Sequence, residues 1–176
     1  DATLKHPAAL NLNWPNMNFD FRKNIKKNDK VQLDEYNATI REIDLLVRNV
    51  RAYHHRRNAK ERKAEHKQES DLRLESMIPF IIYKEPIHVK ANDIRQIEAA
   101  VNWANDQDLN IVIVGGRDSW INPELLVKNN VPVILLGVQV TPRRRFEPIH
   151  LPYKLPSMLY EAGVHFCISL DPGYPM

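Results

Sequence analysis

Four short apolar runs, Ile87 to Ala91, Ile111 to Val114, Val133 to Leu136 and Phe166 to Ile168, narrow the fold of this chain more than any other feature. Each is short and nearly continuous, as expected of a strand buried on both faces. Helical patterns separate them. Asp93 stands as a cap before Ile94, Ile97, Ala100, Val101 and Ala104. Asn122-Pro123 opens a helix through Leu125, Leu126 and Val127, and Leu155 to Glu161 lead to Gly163. Strand and helix in alternation predict an α/β fold of parallel βα units with right-handed crossovers.

The half before this run has a different pattern. Over residues 31–68, Leu33, Tyr36, Ile40, Ile43, Val47, Val50 and Tyr53 recur at spacings of three and four, one apolar stripe along a long helix. Distal to it the apolar residues give out, so packing within the chain is favoured over a coiled coil. Residues 1–30, rich in Asn and interrupted by Pro7 and Pro15, read as a surface arm; alternation at Leu10, Leu12 and Trp14 permits a short strand, but the arm is the favoured reading. After a break at Ser70-Asp71 a short helix through Leu72, Leu74, Met77 and Ile78 is expected to stop around Pro79. The chain thus divides into an arm and long helix, 1–70, and a βα segment, 71–176.

With 176 residues, 43% hydrophobic and 27% charged, and a mean hydropathy of −0.48, the chain has the composition of a globular domain or a piece of a larger one. No apolar run approaches the roughly 20 residues of a membrane helix. Localisation cannot be read from the sequence. The net charge of +3 is concentrated in His54-His55-Arg56-Arg57 with its flanking lysines, and in Arg143-Arg144-Arg145. Glutamates are interleaved in the first cluster, which suits a solvated helical face, and aromatics in neither, so no nucleic-acid partner is expected. The single Cys167 cannot form an internal disulfide and reads as a core thiol. Raw sheet edges and the helix stripe make a homo-oligomer the expected protein partnership.

In parallel α/β folds the functional residues lie beyond the carboxyl ends of the strands. That rule selects Lys90 and Asn92, then Gly115 to Asp118 including Arg117, then Gly137 to Gln139, then Ser169 to Asp171. Gly115-Gly116 lacks the fuller spacing of a phosphate or dinucleotide loop and reads as a tight turn. His88, two residues before Lys90, points to the same side of the sheet from deeper in the strand.

The phrase Glu85-Pro-Ile-His-Val-Lys-Ala-Asn-Asp-Ile-Arg-Gln-Ile resembles the fifth-strand region of imidazolonepropionase-like amidohydrolases. Ile111-Val-Ile-Val-Gly-Gly-Arg-Asp-Ser-Trp resembles the sixth, Asn130-Val-Pro-Val-Ile-Leu-Leu the seventh, and Ala162-Gly-Val-His-Phe-Cys-Ile-Ser-Leu-Asp the eighth. Upstream, His6-Pro-Ala-Ala-Leu-Asn-Leu-Asn-Trp-Pro and the long helix are similar to an insertion in the middle of such proteins. The resemblance implies a partial TIM barrel with a long N-terminal helix, belonging to a longer polypeptide. It implies hydrolysis of amide or cyclic amide bonds of a small-molecule substrate, with a divalent metal such as zinc activating water. Asp171 would be the proton-transferring residue or a metal ligand, His88 the other candidate ligand, and Lys90, Asn92 and Arg117 substrate contacts. Two departures count against a metal in this chain alone. Lys90 and Gly115 stand where metal-bearing relatives present histidines, and neither side chain can coordinate a cation under ordinary conditions. The alternative reading is therefore a non-catalytic binding or assembly module that has lost its ligands.

Overall fold

The structure, a computed structural model, describes residues 9–17, 29–63, 70–142 and 144–169. Ten elements follow in order: β1 (Leu10–Asn13), α1 (Asp29–Lys63), α2 (Leu72–Ile81), β2 (Ile87–Ala91), α3 (Ile94–Asp106), β3 (Ile111–Gly115), α4 (Pro123–Lys128), β4 (Val133–Leu136), α5 (Leu151–Glu161) and β5 (Phe166–Ser169). They form two compact units, one holding α1 and α2, the other holding the sheet and its helices from Pro86 onward together with residues Asn11–Trp14.

In the first unit the apolar stripe of α1 becomes buried only near its distal end, at Val47, Val50 and Tyr53, while Val31 and Leu33 are exposed. The Tyr53 hydroxyl accepts from the Asp71 backbone amide at 3.4 Å and donates to Glu75 Oε1 at 3.1 Å, fastening α1 to the start of α2. Asp71 caps α2 through the amides of Arg73 and Leu74. This helix does not stop at Pro79. It continues to Ile81, and the Ile82 amide still donates to Ile78 at 2.9 Å. Pro79 deprives the Glu75 carbonyl of a helical donor, and burial of Phe80 and Ile81 beyond it offsets that loss.

In the second unit the sheet order is β1-β2-β3-β4-β5, and β2, β3, β4 and β5 pair in parallel. The four expected strands are all present. The register sets Ala91 beside Gly115, Gly115 beside Leu135, and Leu136 beside Ser169, so the carboxyl ends of the strands finish along one rim. Burial alternates strictly: Ile87, Val89, Ala91, Ile111, Ile113, Val133 and Leu135 are sealed, whereas His88, Val112, Val114, Ile134 and Leu136 on the opposite face are half-buried and Lys90 is exposed. The expectation of burial on both faces thus holds for one face only. On β5 even Cys167 is exposed, not a core thiol as read from its apolar setting, because among the described residues β5 is the last strand of the sheet.

Helix α3 lays Ile97, Ala100, Val101, Trp103 and Ala104 into the core, and its start is a full capping box of Asp93 and Gln96. Asn122 opens α4 as expected, yet its side chain donates to Glu98 at 2.9 Å instead of capping. Helix α5 begins at Leu151, a turn earlier than its apolar pattern suggests, because Pro152 in the first turn needs no backbone donor.

The N-terminal arm reading is corrected by β1. Leu10–Asn13 joins the sheet edge, the Trp14 amide donates to Lys90 O at 3.2 Å, and Gln96 Nε2 donates to Trp14 O at 3.3 Å. Trp14 is buried, with its ring centroid 5.5 Å from that of Trp103. Two apolar positions in a run of asparagines carried too weak a pattern to outweigh their turn chemistry. Trp14→Ala is expected to cost about 3 kcal/mol in urea unfolding, the range for truncating a buried aromatic. A loss below about 0.5 kcal/mol, typical of surface positions, would return the segment to a loosely held arm.

Candidate functional site

The rim is built from three turns. After β2 the chain bends at Asn92 and Asp93 into α3. After β3 it turns through Gly115 and Gly116, both in the left-handed region at φ +103° and +58°. The Gly116 amide donates to Ala91 O at 2.8 Å and the Asp118 amide to Asn92 O at 3.0 Å, which binds the two turns together. A side-chain carbon on Gly115 would collide with the Asn92 carboxamide and force it to turn away, and the backbone angle of +103° itself favours glycine there. The reading of Gly115-Gly116 as a tight turn agrees with this geometry.

Asp93 and Asp118 are both buried at this rim. Asp93 caps α3 through the Arg95 amide at 3.0 Å, and Asp118 Oδ2 accepts from the Ile94 amide at 3.2 Å. Arg144, in the loop between β4 and α5, closes over them. Its guanidinium makes a two-pronged contact with Asp118 at 2.9 and 2.5 Å, reaches Glu147 at 2.7 Å and stands 3.6 Å from Asp93. Arg95 Nε adds a contact to Asp93 at 3.2 Å. The hydrogen bond that Arg144 donates to Asp118, more than any other influence, holds the guanidinium above its ordinary range, so it stays charged at any working pH. This fork-to-fork pairing is the geometry that suits arginine and not lysine.

Arg144 comes from the Arg143-Arg144-Arg145 run, and its side chain is only 27% exposed. No periodicity links position 144 to positions 93 and 118; the sole sequence signal was an aspartate just past each of two strand ends. Beside the network lies a cavity of about 30 Å³, room for a single water by volume, lined by Gly115, Arg117, Asp118, Gly137, Glu147 and Leu155.

The expected site residues are distributed unevenly around this frame. Arg117 lines the cavity, and Asn92 lies over Gly115. Lys90 projects from the opposite sheet face, exposed, with His88 behind it on the same face. Burial lowers the His88 pKa from its ordinary 6.5, so the ring is neutral at pH 7. Asp171 lies outside the described residues. Among the described residues no three His, Cys, Asp or Glu side chains are grouped to hold a metal ion. The donors present on the rim are thus an exposed ammonium, an arginine and carboxylates already engaged by arginine, which do not fit a divalent cation. A roomier cavity of about 310 Å³ lies in the first unit, among His54, Arg57, Asn58, Glu75 and Tyr83, and contains none of the residues expected to act. No helix of the described residues is long and apolar enough to cross a membrane.

No family model matches the chain, and no curated protein matches it in sequence. Among solved structures it is similar to the crystal structure of an amidohydrolase from Thermotoga maritima MSB8, with 21% identity and a TM-score of 0.74. The likeness covers 97% of this chain and 43% of that one, so the chain spans less than half the length of the protein it matches. At that identity the likeness concerns the fold: parallel βα units arranged as part of an amidohydrolase-like barrel.

Two outcomes are expected from the rim. Arg144→Met leaves buried carboxylates without their counter-charge and should lower stability by about 3 kcal/mol or more, as for other broken buried pairs, with Arg144→Lys recovering only part. Urea unfolding of both variants measures this. For His88 the folded pKa lies below the unfolded value, so its contribution is complete above pH 6.5 and is lost as pH falls through the lowered value. Stability should therefore decline below pH 6.5 through this residue, and His88→Gln should flatten that limb of the profile.

Proposed function

We propose that this chain is a substrate-facing section of an amidohydrolase-like hydrolase acting on carbon–nitrogen bonds, amide or cyclic amide, of a small molecule. The supporting observation is the fold likeness to an amidohydrolase over nearly the whole chain, at a fraction of that protein's length. The finer resemblance to imidazolonepropionase-like members rests on the strand phrases from Glu85 to Asp171. On this reading the chain is inactive by itself and belongs to a longer polypeptide.

The residues available to meet a substrate are Lys90, Asn92 and Arg117. Lys90 offers a positive charge from the half-buried sheet face, and Arg117 a second cation beside the rim cavity, each suited to a carboxylate or polarised carbonyl. Asn92 presents both a donor and an acceptor. Asp171 is assigned the proton transfer by resemblance alone. No step is assigned to a metal here, since the described donors do not fit one.

That same misfit supports a second reading, a non-catalytic module that retains the barrel rim for binding or assembly. The two part on one experiment. A panel of N-acyl amino acids and cyclic amides is offered to the chain, and to any longer natural polypeptide containing it, with zinc or manganese added and then chelated. The hydrolase reading expects no turnover by the chain alone and metal-dependent turnover by the longer protein, abolished by Asp171→Asn. Ligand binding without turnover in the longer protein would sink it in favour of the module.

A further inference from the structure

Helix α5 carries an apolar surface that the fold does not use. Leu155 and Leu159 are buried beneath it, which fixes the opposite side of the helix as its outer face. On that outer face stand Tyr153, 59% exposed, and Tyr160, 79% exposed, with Ile149 at 78% and Phe146 at 83% just before the helix. Tyr153 and Tyr160, seven residues apart, lie on one face of the helix, and Ile149 and Phe146 are exposed in the turns that lead into it. Single exposed apolar residues are ordinary, but two exposed tyrosines on one helix face, with two more large apolar residues exposed in the turns before it, have the composition of an interface centre.

The charges beside that face identify the partner. Lys154 and Glu161, both exposed, flank the same side of the face two turns apart, and neither has an ion-pair partner among the described residues. Ser157, small and exposed, lies midway, its hydroxyl folded back onto Lys154 O at 2.8 Å. When two copies of such a helix run antiparallel about a two-fold axis at Ser157, side is preserved while height is inverted. Lys154 of each copy then faces Glu161 of the other, Tyr153 meets Tyr160, and the two serines meet at the centre, where their size allows close approach. A surface that is self-complementary in both shape and charge is what an isologous dimer requires.

We propose that α5 is a homodimerisation helix, pairing antiparallel with α5 of a second copy through the face that carries Tyr153, Ser157 and Tyr160. The surface does not involve the rim, so the proposal stands apart from the hydrolase reading. It also differs from association through the β5 edge or the stripe of α1, whose distal residues are already buried.

Sedimentation equilibrium over about 1 to 200 µM tests it, the range in which a single-helix contact is expected to associate. The expected result is reversible growth from the 20.6 kDa monomer to twice that mass. Tyr160→Glu should weaken association at least about tenfold. Lys154→Glu and Glu161→Lys should each weaken it several-fold by setting like charges face to face, while the double swap Lys154→Glu/Glu161→Lys should return it to near the parent value. Circular dichroism confirms that these exposed substitutions leave the fold intact. A chain that stays monomeric throughout, a dimer indifferent to Tyr160→Glu, or a double swap as weak as either single change would overturn the proposal.

Discussion

Asp93 and Asp118 are withdrawn from water at the ends of neighbouring strands, and a carboxylate in that position needs either donors or a counter-charge to remain ionised. The structure supplies both. Backbone amides at the start of α3 bind them from one side and Arg144 from the other, so the same pair of aspartates sets where α3 begins, joins the β2 and β3 turns, and pins the loop that leads from β4 to α5. Replacing the whole set by apolar side chains would lose this coordination of three separate connections. Removing one member leaves the others charged and dry.

The parallel core was legible because its strands are apolar runs of the right length, divided by helices; Asp93, Gly163 and the proline of α4 mark boundaries by local chemistry alone, whereas the first turn of α5 at Pro152 was missed. What escaped did so for definable reasons. In β1 the backbone pairing with β2 and the burial of Trp14 against Trp103 are tertiary effects that overrode an asparagine-rich sequence. In α2 buried residues beyond Pro79 carried the helix past its nominal stop. Cys167 was misjudged because its neighbours are apolar, whereas its exposure depends on β5 being the last strand of the sheet among the described residues. Within the candidate site, Lys90, Asn92 and Arg117 follow from the strand-end rule, but Arg144 reaches its partners from a distant loop, and only assembly of the sheet brings it there.

The alternation of sealed and half-buried positions also bears on how such a sheet makes a site. Side chains on the sealed face stabilise the βα layers; those on the other face, His88, Lys90, Val112, Val114 and Ile134, are where a barrel of this kind would enclose its interior. The neutral imidazole of His88 suits that half-dry environment, and the exposed ammonium of Lys90, one turn of the pleat nearer the rim, suits contact with solvent or ligand.

The collision waiting at Gly115 bears on the neighbouring turn as well. Any residue with a side chain at that position must adopt a left-handed backbone and displace Asn92. The carboxamide would have to turn out of the way or be shortened, and with it would move the turn that leads from β2 into α3. The two positions are therefore coupled: what stands at 115 decides where the Asn92 side chain can lie. A residue without a side chain thus sets the orientation of one that has a side chain, by leaving it the space it occupies.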